Sequence, residues 1–70
     1  MFYDKLIKLC NEKGEKITPL VKRLNISPGS IGNWQTGSIP NGETLIKFAN
    51  YFNVSLDYLV GRTDNPEVNK

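Results

Sequence analysis

Seventy residues suffice for one domain, and a chain of that size buries only about 60% of its unfolded surface, near the lower limit for folding unaided. Histidine is absent and Cys10 is the only cysteine, which removes the commonest general base, the commonest metal ligand and any disulfide framework. Ser27, Ser30 and Cys10 have no base to activate them as nucleophiles. The composition therefore argues against an enzyme, and no catalytic residue, metal ligand or cofactor is expected. The net charge of +2 is uneven: residues 1–36 carry Lys5, Lys8, Lys13, Lys16, Lys22 and Arg23 against Asp4, Glu12 and Glu15, while residues 37–70 are slightly acidic. A basic front half suits a phosphate-facing surface or an ordinary solvated one, and charge alone does not decide between them.

The first expected element is a helix from Phe2 to Lys13. Phe2, Leu6, Leu9, Cys10 and Lys13 recur at helical spacing, Tyr3 and Ile7 widen the stripe, and Gly14 supplies a left-handed terminator. Cys10 reads as a small buried residue more readily than as a redox sensor. A second helix is expected over Ile17–Leu24, with Ile17, Leu20, Val21 and Leu24 on one face. Pro19 is harmless there because the first helical turn has no use for its missing N–H. Thr18 either caps this helix or reaches outward from its first turn.

Asn25-Ile26-Ser27 leaves room only for a tight turn, and Asn25 tolerates left-handed dihedrals. Ser27 as cap and Pro28 at the first helical position predict a third helix from Pro28 to about Thr36, stopped by Gly37, with Ile31 and Trp34 inward. Trp34 reads as core in preference to a stacking platform. The loop 37–42 is rich in helix breakers. Asn41 then caps a fourth helix with Leu45, Phe48, Ala49 and Phe52 on its buried face. Ser55 starts a short fifth helix with Leu56, Leu59 and Tyr58 inward, ended by Gly61. These elements make a domain over residues 1–61, followed by a flexible tail or linker over 62–70.

Five short helices cannot stand singly in water and must share one core, which gives an all-α, compact five-helix bundle. No apolar run is long enough to cross a bilayer, and Met-Phe-Tyr-Asp-Lys is not a signal sequence, so a cytoplasmic protein with no membrane partner is expected. The second and third helices, joined by a short turn, meet the demands of a helix-turn-helix unit. Leu20 and Leu24 form the apolar pair facing the third helix, and Val21 lies at the close crossing. Asn25 makes the bend, Ile26 pins the turn, and Ile31 and Trp34 brace the third helix.

On these residues the chain resembles the Cro/repressor-type helix-turn-helix family of phages and Gram-positive bacteria. The resemblance is carried by Ile17–Gly37 (ITPLVKRLNISPGSIGNWQTG), Pro40–Phe52 (PNGETLIKFANYF) and Val54–Arg62 (VSLDYLVGR), and extends over about residues 2–62. Val21 stands where the family usually has alanine, and Asn25 where it has glycine. Pro28 and Gly29 stand where it often has a hydrogen-bonding side chain, and Gly32 is also unusual.

The resemblance implies a lambda-repressor-like fold and a third helix that enters the major groove. It implies base contacts from Ser27, Pro28, Gly29, Ser30 and Asn33, of which Ser30 and Asn33 carry hydrogen-bonding groups and Pro28 is apolar enough to meet a thymine methyl. Gly29 and Gly32 either let the helix approach the groove floor closely, or are tolerated drift or the mark of a helix tuned for a different partner. Phosphate contacts are implied for Lys16 and Thr18 at the second helix, Gln35, Thr36 and Ser38 after the third, and Asn41 and Thr44 at the fourth. Lys22 is a further candidate, though an exposed lysine on the second helix is more often simply solvated. The expected partner is double-stranded DNA, a palindromic operator bound by a homodimer that joins through Val54–Val60, and the expected role is transcription regulation, repression above all. The alternative is a protein-interaction module that keeps the fold and binds a regulatory partner.

Overall fold

The amphipathic stripes fold into five helices in a computed structural model that describes residues 2–67: α1 (Phe2–Glu12), α2 (Ile17–Arg23), α3 (Ser30–Gln35), α4 (Gly42–Phe52) and α5 (Leu56–Leu59). No strand occurs among the described residues. Met1, in the expected domain, and residues 68–70, in the expected tail, lie outside them.

One core unites the helices. Leu6, Leu20, Val21, Phe48 and Leu59 are fully enclosed, and Phe2, Leu9, Cys10, Ile26, Trp34, Ala49, Phe52, Val54 and Tyr58 complete the buried cluster. Its centre is a trio of aromatic rings from three helices. Trp34 of α3 meets Phe2 of α1 edge-on at 5.6 Å between centroids and Phe48 of α4 edge-on at 5.6 Å. Phe2 and Phe48 lie 5.9 Å apart. Each such contact adds roughly 0.5–1.5 kcal/mol beyond the area it buries.

Every helix stops in the same way. Gly14, Asn25, Gly37, Asn53 and Gly61 all take left-handed dihedrals just past a helix end. In each case the next residue sends its N–H back to a carbonyl five residues earlier: Glu15 to Cys10, Ile26 to Val21, Ser38 to Asn33, Val54 to Ala49 and Arg62 to Asp57. These bonds satisfy carbonyls that the helix leaves unpaired and turn the chain sharply. Two N-caps also form as their residue types dictate. Asn41 Oδ1 accepts from the Thr44 N–H at 2.9 Å, and Ser55 Oγ accepts from the Tyr58 N–H at 3.0 Å.

Two local expectations are corrected, at the start of α3 and at Leu56, and one alternative, at Thr18, is decided. Ser27 does not cap α3 with its side chain, and Pro28 is not its first residue; the helix begins at Ser30. Residues 27–29 instead form a tighter turn in which the Ser27 and Pro28 carbonyls accept from Ser30 and Ile31, three residues on. Thr18 makes no cap for α2 and is exposed, so of its two readings the outward one holds. Leu56 points outward and is 44% exposed, because a four-residue helix has room to bury only Tyr58 and Leu59.

Residues 62–67 of the expected tail run back beside α5, where the Ser55 N–H donates to the Pro66 carbonyl at 3.0 Å. On the opposite side of the sequence, Arg23 pairs with Glu15 and donates to the Tyr51 hydroxyl at 3.1 Å, tying the α1–α2 connection and α2 to α4.

Two tests follow from this packing. Asn25→Ala is expected to lower stability by about 1 kcal/mol in urea melts, since a Cβ in the left-handed region costs roughly 1–2 kcal/mol, whereas Asn25→Gly leaves stability level or slightly raised. Burial, and secondarily the Glu15 charge, push the Cys10 thiol pKa upward. The protonated thiol is expected to resist iodoacetamide in the folded protein at neutral pH and to react once urea unfolds it; rapid labelling of the native state contradicts this.

Candidate nucleic-acid interface

Helix α3 is six residues long, far below the length at which a helix persists alone. It exists because Trp34, 3% exposed, is gripped between α1 and α4, with half-buried Ile31 packed beside it on the same core. That grip leaves the opposite face of α3 to solvent. Gly32, Asn33 and Gln35 are exposed, and Ser30 is half-buried. Ser27, Pro28 and Gly29 in the preceding turn are exposed as well. The sharp bend that aims α3 away from α2 is made at Asn25, with φ of 59°.

The side chains on this face differ in what they have free. Asn33 has no side-chain hydrogen-bond partner among the described residues, so both ends of its amide are available to a base edge. Its backbone carbonyl is fully engaged, accepting from the Thr36 and Ser38 N–H groups and from Thr36 Oγ1 at 2.8 Å. Thr36 has therefore already given its hydroxyl proton to α3. Gln35 Nε2 donates to the Tyr3 hydroxyl at 3.2 Å, which leaves it one N–H and its amide oxygen. Gly32 has open space around it: an added Cβ would meet nothing within 4 Å.

The phosphate candidates frame this face in sequence. Lys16 and Thr18 are exposed where α2 begins, and Ser38 is exposed just past the left-handed Gly37. Asn41 caps the eleven-residue α4 through its oxygen, leaving its Nδ2 donors free, and half-buried Thr44 lies three residues on. Positive charge is distributed less simply than the sequence implies. Lys5 lies 4.1 Å from the Tyr58 ring centre, Lys13 lies 4.8 Å from that of Tyr51, and Arg23 also covers Tyr51. Half of the basic side chains of residues 1–36 thus cover rings of α4 and α5, an engagement that sequence spacing does not reveal. No group of His, Cys, Asp and Glu suited to a metal occurs among the described residues, nor any helix long and apolar enough to cross a membrane.

Two short helices joined by a left-handed bend, the second clamped from behind and bare in front, are the geometry of a helix-turn-helix. A helix-turn-helix family model matches residues 6–59, more than three quarters of the chain. The protein belongs to the Cro/repressor-type helix-turn-helix family. Neither curated proteins nor solved structures yield a match to it. This helix-turn-helix protein accordingly has the lambda-repressor-like, five-helix fold, and its family membership carries DNA binding and transcription regulation, in a domain type that is ordinarily non-enzymatic.

The open space at Gly32 gives a direct test of how α3 is stabilised. Gly32→Ala is expected to add about 1 kcal/mol through helix propensity alone, read as a melting temperature higher by roughly 4–8 °C.

Proposed function

We propose that this helix-turn-helix protein is a sequence-specific regulator of the phage-repressor kind that reads a palindromic double-stranded operator by laying α3 in the major groove. The observation that carries this reading is the two-sided character of α3: Trp34 fixed in the core and Asn33, next to it in sequence, exposed with an unengaged amide. Asparagine can pair bidentately with adenine, and Ser30 adds a hydroxyl. Pro28 offers an apolar contact, and Ser27 and Gly29 bring backbone close. Lys16, Thr18, Gln35, Thr36, Ser38, Asn41 and Thr44 hold phosphates and set the register. Thr36 donates to a phosphate only by releasing its hydroxyl proton from the Asn33 carbonyl.

A single domain of this size covers little DNA, so two copies on half-sites one helical turn apart are needed for useful affinity. Our reading has the second copy meet the groove between α4 and α5, where Ile46 and Leu56 are 50% and 44% exposed beside buried Val54 and Ala49. That surface overlaps Val54–Val60. The domain proper is residues 1–61, with 62–70 as its tail or linker, acting in the cytoplasm on nucleoid DNA.

A protein-interaction module is the second reading, favoured by the donor-poor sequence Pro28-Gly29 and by Gly32 at the front of α3. One experiment separates the two: selection of bound duplexes from a random pool, followed by titration of the recovered site. The regulator reading expects a palindrome, affinity that falls steeply with salt, and a loss of about 1–3 kcal/mol in Asn33→Ala confined to one base pair per half-site. Recovery of no preferred duplex at low salt overturns it in favour of the module.

A further inference from the structure

We propose that Tyr3 is a positioning residue for DNA binding, holding Gln35 in the conformation in which it meets the phosphate backbone; the inference rests on the regulator reading above. The geometry is a double grip between adjacent residues of two helices. Phe2 of α1 locks against Trp34 of α3, and Tyr3 accepts a hydrogen bond from Gln35 at 3.2 Å. Tyr3 is half-buried, its ring packed on the core cluster, so its hydroxyl is a fixed point; Gln35 is exposed at the last position of α3.

A free glutamine side chain rotates about three bonds and loses that freedom when it docks on a partner. A side chain already held in one arrangement loses less, and the difference appears as affinity. The Tyr3 hydroxyl takes one of the two Nε2 protons, so the second N–H is left directed along a set line. No charge is involved, so the contribution differs in kind from that of a lysine at the same surface. It alters affinity without altering the number of counterions released.

The test is a double-mutant cycle on the selected operator, with Tyr3→Phe, Gln35→Ala and the pair together. Tyr3→Phe removes only an oxygen at the surface end of the ring and leaves the core packing in place, which a thermal melt checks. The expected result is a roughly two- to tenfold loss of affinity in Tyr3→Phe, with the same base preferences and the same salt slope. Tyr3→Phe is expected to cost nothing further once Gln35 is alanine, because Tyr3 acts only through Gln35. Unchanged affinity in Tyr3→Phe, additive losses in the pair, or a loss that merely follows a lowered melting temperature each overturn the inference. If the wild-type protein selects no duplex, the regulator reading fails and this one with it. If it selects one and Asn33→Ala weakens it while Tyr3→Phe does not, this inference alone fails.

Discussion

The clamp on Trp34 is the constraint on which the rest of the structure depends. Helix α3 has six residues, one of them glycine, and its N-terminus lacks a side-chain cap. Local propensity would not keep it folded. Phe2 and Phe48 approach Trp34 from two other helices, each at 5.6 Å, so the position of α3 is set by the same contact that closes the core. Folding and presentation of the exposed face of α3 are therefore one event. Helix α4, by contrast, has its own side-chain cap and a longer buried face.

The uniform helix endings do complementary work. Each left-handed residue reverses the chain within a residue or two and hands the next N–H to a carbonyl that would otherwise be unpaired. A domain this small has little apolar surface with which to offset an unsatisfied buried polar group. Repeating one economical stop five times lets short helices pack without long connections. At Asn25 that stop also makes the bend between α2 and α3, so a feature of general economy fixes how α3 is presented.

Much of this was legible in the sequence, for reasons that differ by residue. The buried faces of α1 and α4 follow from helical spacing, and Asn41, Ser55, Gly14, Asn25, Gly37 and Gly61 act as their chemistry dictates. Asn53 belongs with them and goes beyond the expected terminators, although an asparagine just after Phe52, the last buried residue of α4, carries the same signal. Short elements were harder. Ser27-Pro28 is a strong local start signal, yet the chain makes a tight turn first and begins α3 two residues later. Leu56 was expected inward because a four-residue helix has no periodicity to say otherwise. For the candidate site, residue type and pattern located the exposed face but not the commitments of its side chains. That Thr36 is bonded to its own helix, that Gln35 reaches Tyr3 across 32 positions, and that Lys5, Lys13 and Arg23 cover aromatic rings are tertiary facts with no local signature.

The empty space beside Gly32 has a consequence for how such a protein can change. Apart from Gln35, which is exposed and also bonded to Tyr3, the residues that hold α3 in place are not those that face outward, and the outward set includes Gly29 and Gly32, where an added Cβ meets nothing closer than the Ser27 hydroxyl at 3.6 Å. Side chains can be introduced at these blank positions without renegotiating the hydrophobic interior. On the proposed reading of α3, altered target preferences are within reach of single steps that leave the scaffold intact, which suits the surface to deliberate retargeting in the laboratory.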